Sequence, residues 1–244
     1  PLRSGRGVQG DRSPARFSLV PSTAPFFFKR KVGLKDRLSQ KEIFMPKLPF
    51  DAYQTDGITL ARRLLGCKLF HRTPEGLCGG IIVETEAYMG LTDDAAHSYR
   101  GNPGGRVNIQ YGPGGFSYIY LIYGMHSCMN VVANGEGIPE AVLIRALAPT
   151  DGLDLMAARR PKAKKPQQYC SGPGKLCAAL SITRAQYGLD LTGDTLWIED
   201  RAEAPAITAS PRIGVEYAKE CGQKPWRFTV TGSPWVSVKP APSP

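Results

Sequence analysis

The chain has 244 residues, of which 42% are hydrophobic and 21% are charged, an ordinary composition for a globular protein. This length suffices for one sizeable domain with its own hydrophobic core, and no apolar run approaches the roughly 18 residues that a membrane-spanning helix needs. The six cysteines contain no CxxC pair and no histidine cluster accompanies them. We therefore expect reduced thiols, and neither a bound metal nor a membrane partner.

The net charge of +10 is concentrated in the first part of the chain. Residues 1–44 contain ten Lys/Arg and three Asp/Glu, which leaves a net charge of only +3 for the rest of the sequence. We interpret residues 1–44 as a disordered or non-native basic extension and residues 45–244 as the functional domain, with Met45 as its start. So mildly basic a domain does not by itself identify a polyanionic partner.

The first predicted element is a helix over residues 56–65, with Asp56 as its N-cap and Gly66 at its end. Hydrophobic patterning and turn residues then predict strands over 67–71, 77–88, 116–123, 125–133 and 141–147, and helices over 151–160 and 175–182. Strands that follow one another through turns favour an α+β fold with a mainly antiparallel sheet in one domain. The long Gly/Pro-rich loop over 90–115 is of a kind that is usually functional or disordered.

The strand over 77–88 carries two acids, Glu84 and Glu86, which should share a face with Ile82 and Tyr88. One interpretation is a solvated strand face. The other depends on Arg145, which lies inside an apolar strand and needs a carboxylate, because a buried unpaired charge is costly. A glutamate held by that arginine would suit a base that activates water, although two acids would also suit glycosidase-type acid/base chemistry.

Aromatic residues near these acids suggest a slot for a flat ligand. Tyr88, Tyr120 and His97, which lies between small residues, would form its walls, and Tyr123 at a bend would project outward. Stacking on a nucleic-acid base contributes about 1–3 kcal/mol, comparable with the few kcal/mol needed to flip a base out of a duplex. Lys175, at a Gly-rich helix start, offers an anion site in principle.

Six blocks, in order and over residues 48–237, resemble the alkyladenine (3-methyladenine) DNA glycosylase family: GGIIVETEAYMG, DDAAHSY, YIYLIYGMHSCMNVV, AVLIRALAP, SGPGKLC and RFTVTGSPWVS. The resemblance implies one compact domain with a curved antiparallel sheet and packed helices. It implies a monofunctional enzyme of base excision repair that flips 3-methyladenine, 7-methylguanine, hypoxanthine or ethenoadenine from duplex DNA and hydrolyses the N-glycosidic bond. A monomer without cofactor or catalytic metal is expected, in the cytoplasm or nucleoid of a bacterium, or in the nucleus or an organelle of a eukaryote.

The resemblance also implies roles for individual residues. Glu86 is expected to activate water and Arg145 to orient it, while Glu84 receives no catalytic role. The other implied positions are the base pocket (Tyr88, His97, Tyr120 and Asn130, whose bulk discourages guanine), the minor-groove wedge (Tyr123, with Met125 beside it) and two phosphate contacts (Arg106 and Lys175).

One loop departs from the family pattern. Family members often carry a TPRN-type segment where this chain has Gly104-Gly105-Arg106-Val107, so that Arg106 matches but Asn108 is shifted.

Two other functions stay open at this point. One is a catalytically silent nucleic-acid-binding relative of the same scaffold, and the other is a hydrolase of small nucleosides, for which a wedge would have no use.

Overall fold

The computed structural model describes residues 45–101 and 103–240, so the predicted extension over residues 1–44 lies outside the described residues. Within these ranges no helix combines the length and the apolar character that crossing a membrane requires. The described residues form an α+β fold, as predicted, with one mainly antiparallel sheet and helices packed on it.

Every strand pairing in the sheet is antiparallel. The strands of the described residues are β1 Lys68–Thr73, β2 Gly76–Tyr88, β3 Ser117–Ile122, β4 His126–Ala133, β5 Glu140–Asp151, β6 Leu196–Glu199, β7 Ile207–Ser210 and β8 Arg227–Val230. Their order is β3-β4-β5-β2-β1-β6, and β8 pairs with both β2 and β7. The central strands β2 and β5 are the longest, and both acids and Arg145 lie on them.

The helices are short, and the first begins where the sequence predicts. The α-helices of the described residues are α1 Gly57–Leu64, α2 Leu153–Arg159, α3 Pro173–Leu180 and α4 Lys219–Gln223. Single 3₁₀ segments are Phe50–Tyr53, Gly90–Thr92, Gly105–Tyr111, Pro166–Gln168 and Arg184–Gln186. The Asp56 carboxylate caps α1, because its Oδ1 accepts hydrogen bonds from the backbone N–H groups of Ile58 and Thr59, both at 3.0 Å.

The hydrophobic core lies between the sheet and helices α1 and α3. Helix α1 packs on β2 and β5, and α3 packs on β4 and β5. Leu60, Leu64, Ile144, Leu176 and Phe228 are among its fully or almost fully buried side chains. All six cysteines are free thiols, as expected.

Two β-bulges between β2 and β5 change which side chains point into this core and which point away from it. Ile82 pairs with Leu147, and the next pairs are Glu84 with Ala146 and Thr85 with Ile144. Val83 on β2 and Arg145 on β5 therefore have no residue directly opposite, as expected of bulged residues. The prediction that Ile82 shares a face with the acids is wrong, because the bulge at Val83 shifts the alternation and Ile82 packs in the core.

Candidate active site

The two acids of β2 are both fully buried, with no exposed surface. This excludes the solvated strand face and confirms that Arg145 pairs with carboxylates. The Arg145 Nε donates to Glu84 Oε1 at 3.0 Å, and its Nη1 donates to Glu86 Oε2 at 3.2 Å. The bulge at Arg145 explains how one guanidinium reaches two acids from an apolar strand, because bulges re-aim side chains.

Glu84 is the more heavily bonded of the two acids. Besides Arg145, it accepts hydrogen bonds from Arg227 Nε at 2.8 Å, from the Ser237 backbone N–H at 2.6 Å and from the Ser237 hydroxyl at 2.8 Å. These bonds join β2, β5, β8 and the segment after β8. Glu84 thus accepts four hydrogen bonds from the protein, as many as a carboxylate ordinarily accepts, which is the environment of a structural residue.

Glu86 is held by three donors. Its Oε2 accepts from Arg145 and from the Tyr88 hydroxyl at 3.1 Å, and its Oε1 accepts from the Ile213 backbone N–H at 2.8 Å. Burial raises the pKa of Glu86, and the Arg145 charge opposes that rise. Burial alone would lower the pKa of Arg145, but the carboxylates of Glu86 and Glu84 outweigh it and raise that pKa.

A cavity of about 340 Å³ lies next to the residues that hold Glu86 and is large enough for a small ligand. Of the residues singled out from the sequence, those that line it are Tyr88, His97, Arg106, Tyr120, Tyr123, Asn130 and Arg145. Glu86 itself does not line the cavity. Three residues of the cavity wall donate hydrogen bonds to Glu86, namely Tyr88, Arg145 and Ile213.

The cavity has aromatic walls. The rings of His97 and Tyr120 meet edge to face, with centroids 4.5 Å apart and an interplanar angle of 85°. His97 Nδ1 lies 2.8 Å from the Tyr118 hydroxyl, which fixes the imidazole ring. Burial, helped by the nearby Arg106 charge, lowers the pKa of His97 to about 4, so the imidazole is neutral near pH 7.

Asn130 lies on β4 and is almost fully buried in the cavity wall. Its side-chain Nδ2 donates to the backbone oxygen of Tyr118 at 3.1 Å, across the β3–β4 pair. The amide is therefore held in one orientation and cannot swing aside for a bulkier ligand without losing this bond.

Tyr123 projects from the tip of the β3–β4 hairpin, with 83% of its surface exposed. Tyr123 and Gly124 have φ angles of 53° and 68°, and the Met125 N–H bonds the Ile122 oxygen at 3.3 Å, which is the pattern of a type I′ turn. An L-residue in this left-handed conformation costs about 1–2 kcal/mol. Strain of this kind clusters at functional sites, so it marks Tyr123 as a candidate functional residue. Met125 is also exposed but does not line the cavity.

The two residues predicted to contact phosphate lie in different places. Arg106 borders the cavity, with its guanidinium 5.8 Å from the centre of the Tyr120 ring. Lys175 is exposed on α3, away from the cavity wall. Helix α3 begins at Pro173, two residues before the predicted start, and it is Pro173 that borders the cavity.

Sequence reasoning missed a buried ion pair behind the cavity. Arg212 donates to both oxygens of Asp93, at 2.5 and 2.8 Å, and both side chains are fully buried. The Arg212 guanidinium also lies 4.7 Å from the centre of the Tyr88 ring. Asp93 lies close to Asp94 and Cys221, a grouping that could suit a metal, but Arg212 already occupies both of its oxygens. An acid and an arginine 119 positions apart give no local signal of their pairing.

Sequence reasoning also missed Ile213, Tyr118 and Gln110, which line the cavity. Ile213 donates to Glu86 through its backbone N–H, which any residue except proline would supply. The identity of its side chain therefore gave no indication of this contact. Tyr118 lies in the block YIYLIYGMHSCMNVV, where the spacing of two residues from Tyr120 could have placed it on the same face of the strand.

Comparison with known proteins gives a consistent result. The family model for methylpurine-DNA glycosylase matches residues 51–234. A protein of Methanocella arvoryzae is 47% identical over 196 residues, covering 80% of this chain and 98% of that protein. Proteins of Desulfitobacterium hafniense and Bacillus subtilis are each 45% identical, covering 80% and 78% of this chain and 100% and 96% of their own lengths. All three carry the name "Putative 3-methyladenine DNA glycosylase". The chain belongs to the methylpurine-DNA glycosylase family, whose members are DNA repair enzymes that hydrolyse N-glycosyl bonds.

Proposed function

We propose that this protein acts as a monomer on duplex DNA, swings a damaged purine nucleotide into the cavity and hydrolyses its N-glycosidic bond. The observation that carries this proposal is the position of Glu86. It is a fully buried carboxylate fixed by three donors directly behind the wall of an aromatic cavity.

The hydrogen bonds of Glu86 leave one of its acceptor positions unoccupied. A carboxylate has about four acceptor positions, and three of those of Glu86 are occupied, two on Oε2 and one on Oε1. The free position is therefore on Oε1, beside Ile213 at the cavity wall. A water there would donate one proton to Glu86 as its oxygen attacks C1′ of the sugar.

The reaction balances without a cofactor. The C1′–nitrogen bond breaks, its electron pair leaves with the purine, and the water oxygen becomes the C1′ hydroxyl of an abasic site. A purine alkylated at N3 or N7 is cationic, so it leaves as a neutral base. A neutral base such as hypoxanthine needs proton donation as it leaves. Arg145 keeps Glu86 oriented, and Glu84 keeps Arg145 in place.

Contacts between the base and the cavity walls would offset the free energy needed to extract the base from the duplex. A base between Tyr88 on one side and the His97–Tyr120 pair on the other would stack on Tyr88 and on one ring of that perpendicular pair, whose second ring would present its edge. Each stack contributes about 1–3 kcal/mol, against a few kcal/mol for flipping. Tyr123 would fill the gap left in the duplex, helped by Met125. Asn130, held by its bond to Tyr118, would disfavour guanine through its exocyclic amino group.

Positive charge near the cavity would hold the DNA backbone. Arg106, at the rim, is the first candidate for a phosphate contact, and Lys175 on the surface of α3 is the second. Phosphate contacts release counterions, so the affinity for duplex DNA should fall as salt is added.

The experiment that tests the proposal compares the parent protein with Glu86→Gln on a duplex that contains one hypoxanthine. Base release, detected by alkaline cleavage of abasic sites, should fall by about 10²–10⁴-fold in the variant, because general-base catalysis contributes about that much. Affinity for abasic-site DNA should not change. Glu136→Gln, at an exposed position, is the matched control and should act like the parent.

Two results would contradict the proposal. Equal release rates for Glu86→Gln and the parent would remove Glu86 as the base. A parent protein that binds duplex DNA but releases none of the four lesions would be the silent relative instead.

A further inference from the structure

Gln110 is a buried polar residue of the cavity wall that the proposed mechanism leaves without a role. It lies in the 3₁₀ segment Gly105–Tyr111, one turn after Val107, and these two side chains are the buried ones of that segment. Only 3% of the Gln110 surface is exposed, and the residue lines the cavity. A buried polar side chain at such a place requires a hydrogen-bonding partner.

Two neighbouring polar groups of this wall are already bonded to the protein. The Asn130 amide nitrogen is bound to the Tyr118 backbone, and the Tyr118 hydroxyl is bound to His97. The Gln110 amide lies beside the Tyr118 hydroxyl. The amide donates toward that hydroxyl, and among the described residues its side chain makes no other hydrogen bond and is not sealed off from the cavity. Its second N–H donor and its oxygen are therefore available to a ligand.

We infer that Gln110 is a specificity-determining residue, which hydrogen-bonds the polar edge of a neutral, deaminated purine in the cavity. This inference rests on the proposed function. The aromatic walls cannot supply this selectivity, because stacking tolerates every base. A primary amide presents a donor and an acceptor side by side. Hypoxanthine presents the complementary pair, the O6 acceptor next to the N1–H donor.

Ethenoadenine provides the comparison that isolates this contact. It is also a neutral damaged purine, but a carbon bridge closes its corresponding edge, which carries no N–H donor. A site that satisfies a buried amide with a substrate edge discriminates against a substrate that lacks that edge. Removal of the amide should therefore harm excision of hypoxanthine and spare excision of ethenoadenine.

The test is single-turnover base release by the full chain, with Gln110→Leu as the variant, from duplexes that carry hypoxanthine or ethenoadenine. We expect the ratio of the hypoxanthine rate to the ethenoadenine rate to fall by about 3- to 10-fold, the effect of one net hydrogen bond. Gln110→Met, which keeps an unbranched side chain, should give the same change and serves where the leucine variant does not fold. Asn108→Leu, exposed on the same 3₁₀ segment, should leave the ratio unchanged.

Each other outcome has a defined meaning. If both rates fall together in Gln110→Leu and Gln110→Met, or if neither changes, Gln110 is only a wall residue and the inference is overturned while the proposed function stands. If the parent releases neither of these two bases but does release 3-methyladenine or 7-methylguanine, the inference fails and the proposed function stands. If the parent releases none of the four lesions, the proposed function fails, and the inference fails with it.

Discussion

The same substitution, glutamate to glutamine, should have very different consequences for stability at two positions only two residues apart. Glu84 accepts four hydrogen bonds, and it is the only carboxylate bound to Arg227 among the described residues. Glu84→Gln therefore leaves a buried guanidinium without an anion. Glu86→Gln does not, because Arg145 and Arg227 both keep Glu84.

The magnitudes follow from burial. Loss of one partner of a buried ion pair costs about 3–5 kcal/mol. For a domain of this size, about 1 kcal/mol changes the melting temperature by about 2–4 °C, so Glu84→Gln should melt about 6–20 °C below the parent. Burial raises the pKa of Glu86, which means that its ionised form is less stable in the folded protein than in water. Glu86→Gln should therefore melt within about 4 °C of the parent, or above it.

Thermal unfolding followed by circular dichroism at pH 7 measures both differences, with Glu136→Gln as the exposed control. The reasoning is refuted if Glu84→Gln melts within a few degrees of the parent. It is also refuted if Glu86→Gln loses as much stability as Glu84→Gln, because the two acids would then share one structural role.

Two further predictions concern pH and the wedge. Burial raises the pKa of Glu86 above the ordinary 4.5, so the rate of base release should decline on acidification with an apparent pKa above that value. The variant His97→Gln should show the same decline, because the pKa of His97 is only about 4. Folding favours the protonated form of Glu86, so the parent should gain stability relative to Glu86→Gln as the pH is lowered. A decline of the base-release rate with an apparent pKa at or below 4.5 would contradict both the predicted rate profile and the predicted gain in stability. Tyr123→Gly removes the left-handed strain, so the melting temperature should stay level or rise slightly, whereas release of hypoxanthine should slow from duplex DNA and change little from single-stranded DNA. Equal slowing on both kinds of DNA would argue against a wedge.

Local patterns in the sequence were sufficient to predict most elements. The cap of α1 depends on the Asp56 side chain and on backbone groups two and three residues away. Such a short-range contact can be predicted from the local sequence, because distant parts of the chain do not alter it. The strand over 77–88 was predicted within one residue of β2. Strand β5 runs to Asp151 instead of stopping at Leu147, because pairing with β2 extends it through Pro149, which the local sequence disfavours in a strand.

The parts of the site that escaped prediction depend on distant contacts. The bulges that turn Ile82 into the core and Arg145 toward the acids arise from the pairing of β2 with β5, which strict alternation cannot foresee. The N–H of Ile213 reaches Glu86 across 127 positions of sequence. The aromatic and acidic positions were found because side-chain chemistry identifies them, whereas a backbone donor leaves no such mark.

The Asp93–Arg212 pair shows why these distant parts act as one unit. Asp93 accepts hydrogen bonds from the backbone N–H groups of Met89 and Ala95, and so shapes the loop that leads to His97. Arg212 immediately precedes Ile213, whose N–H holds Glu86, and it lies against the ring of Tyr88. One buried ion pair therefore ties the loop of the His97 wall to the segment that fixes the acid. Because both charges are fully buried, separating them is costly, and this cost opposes movement of the His97 wall relative to the carboxylate.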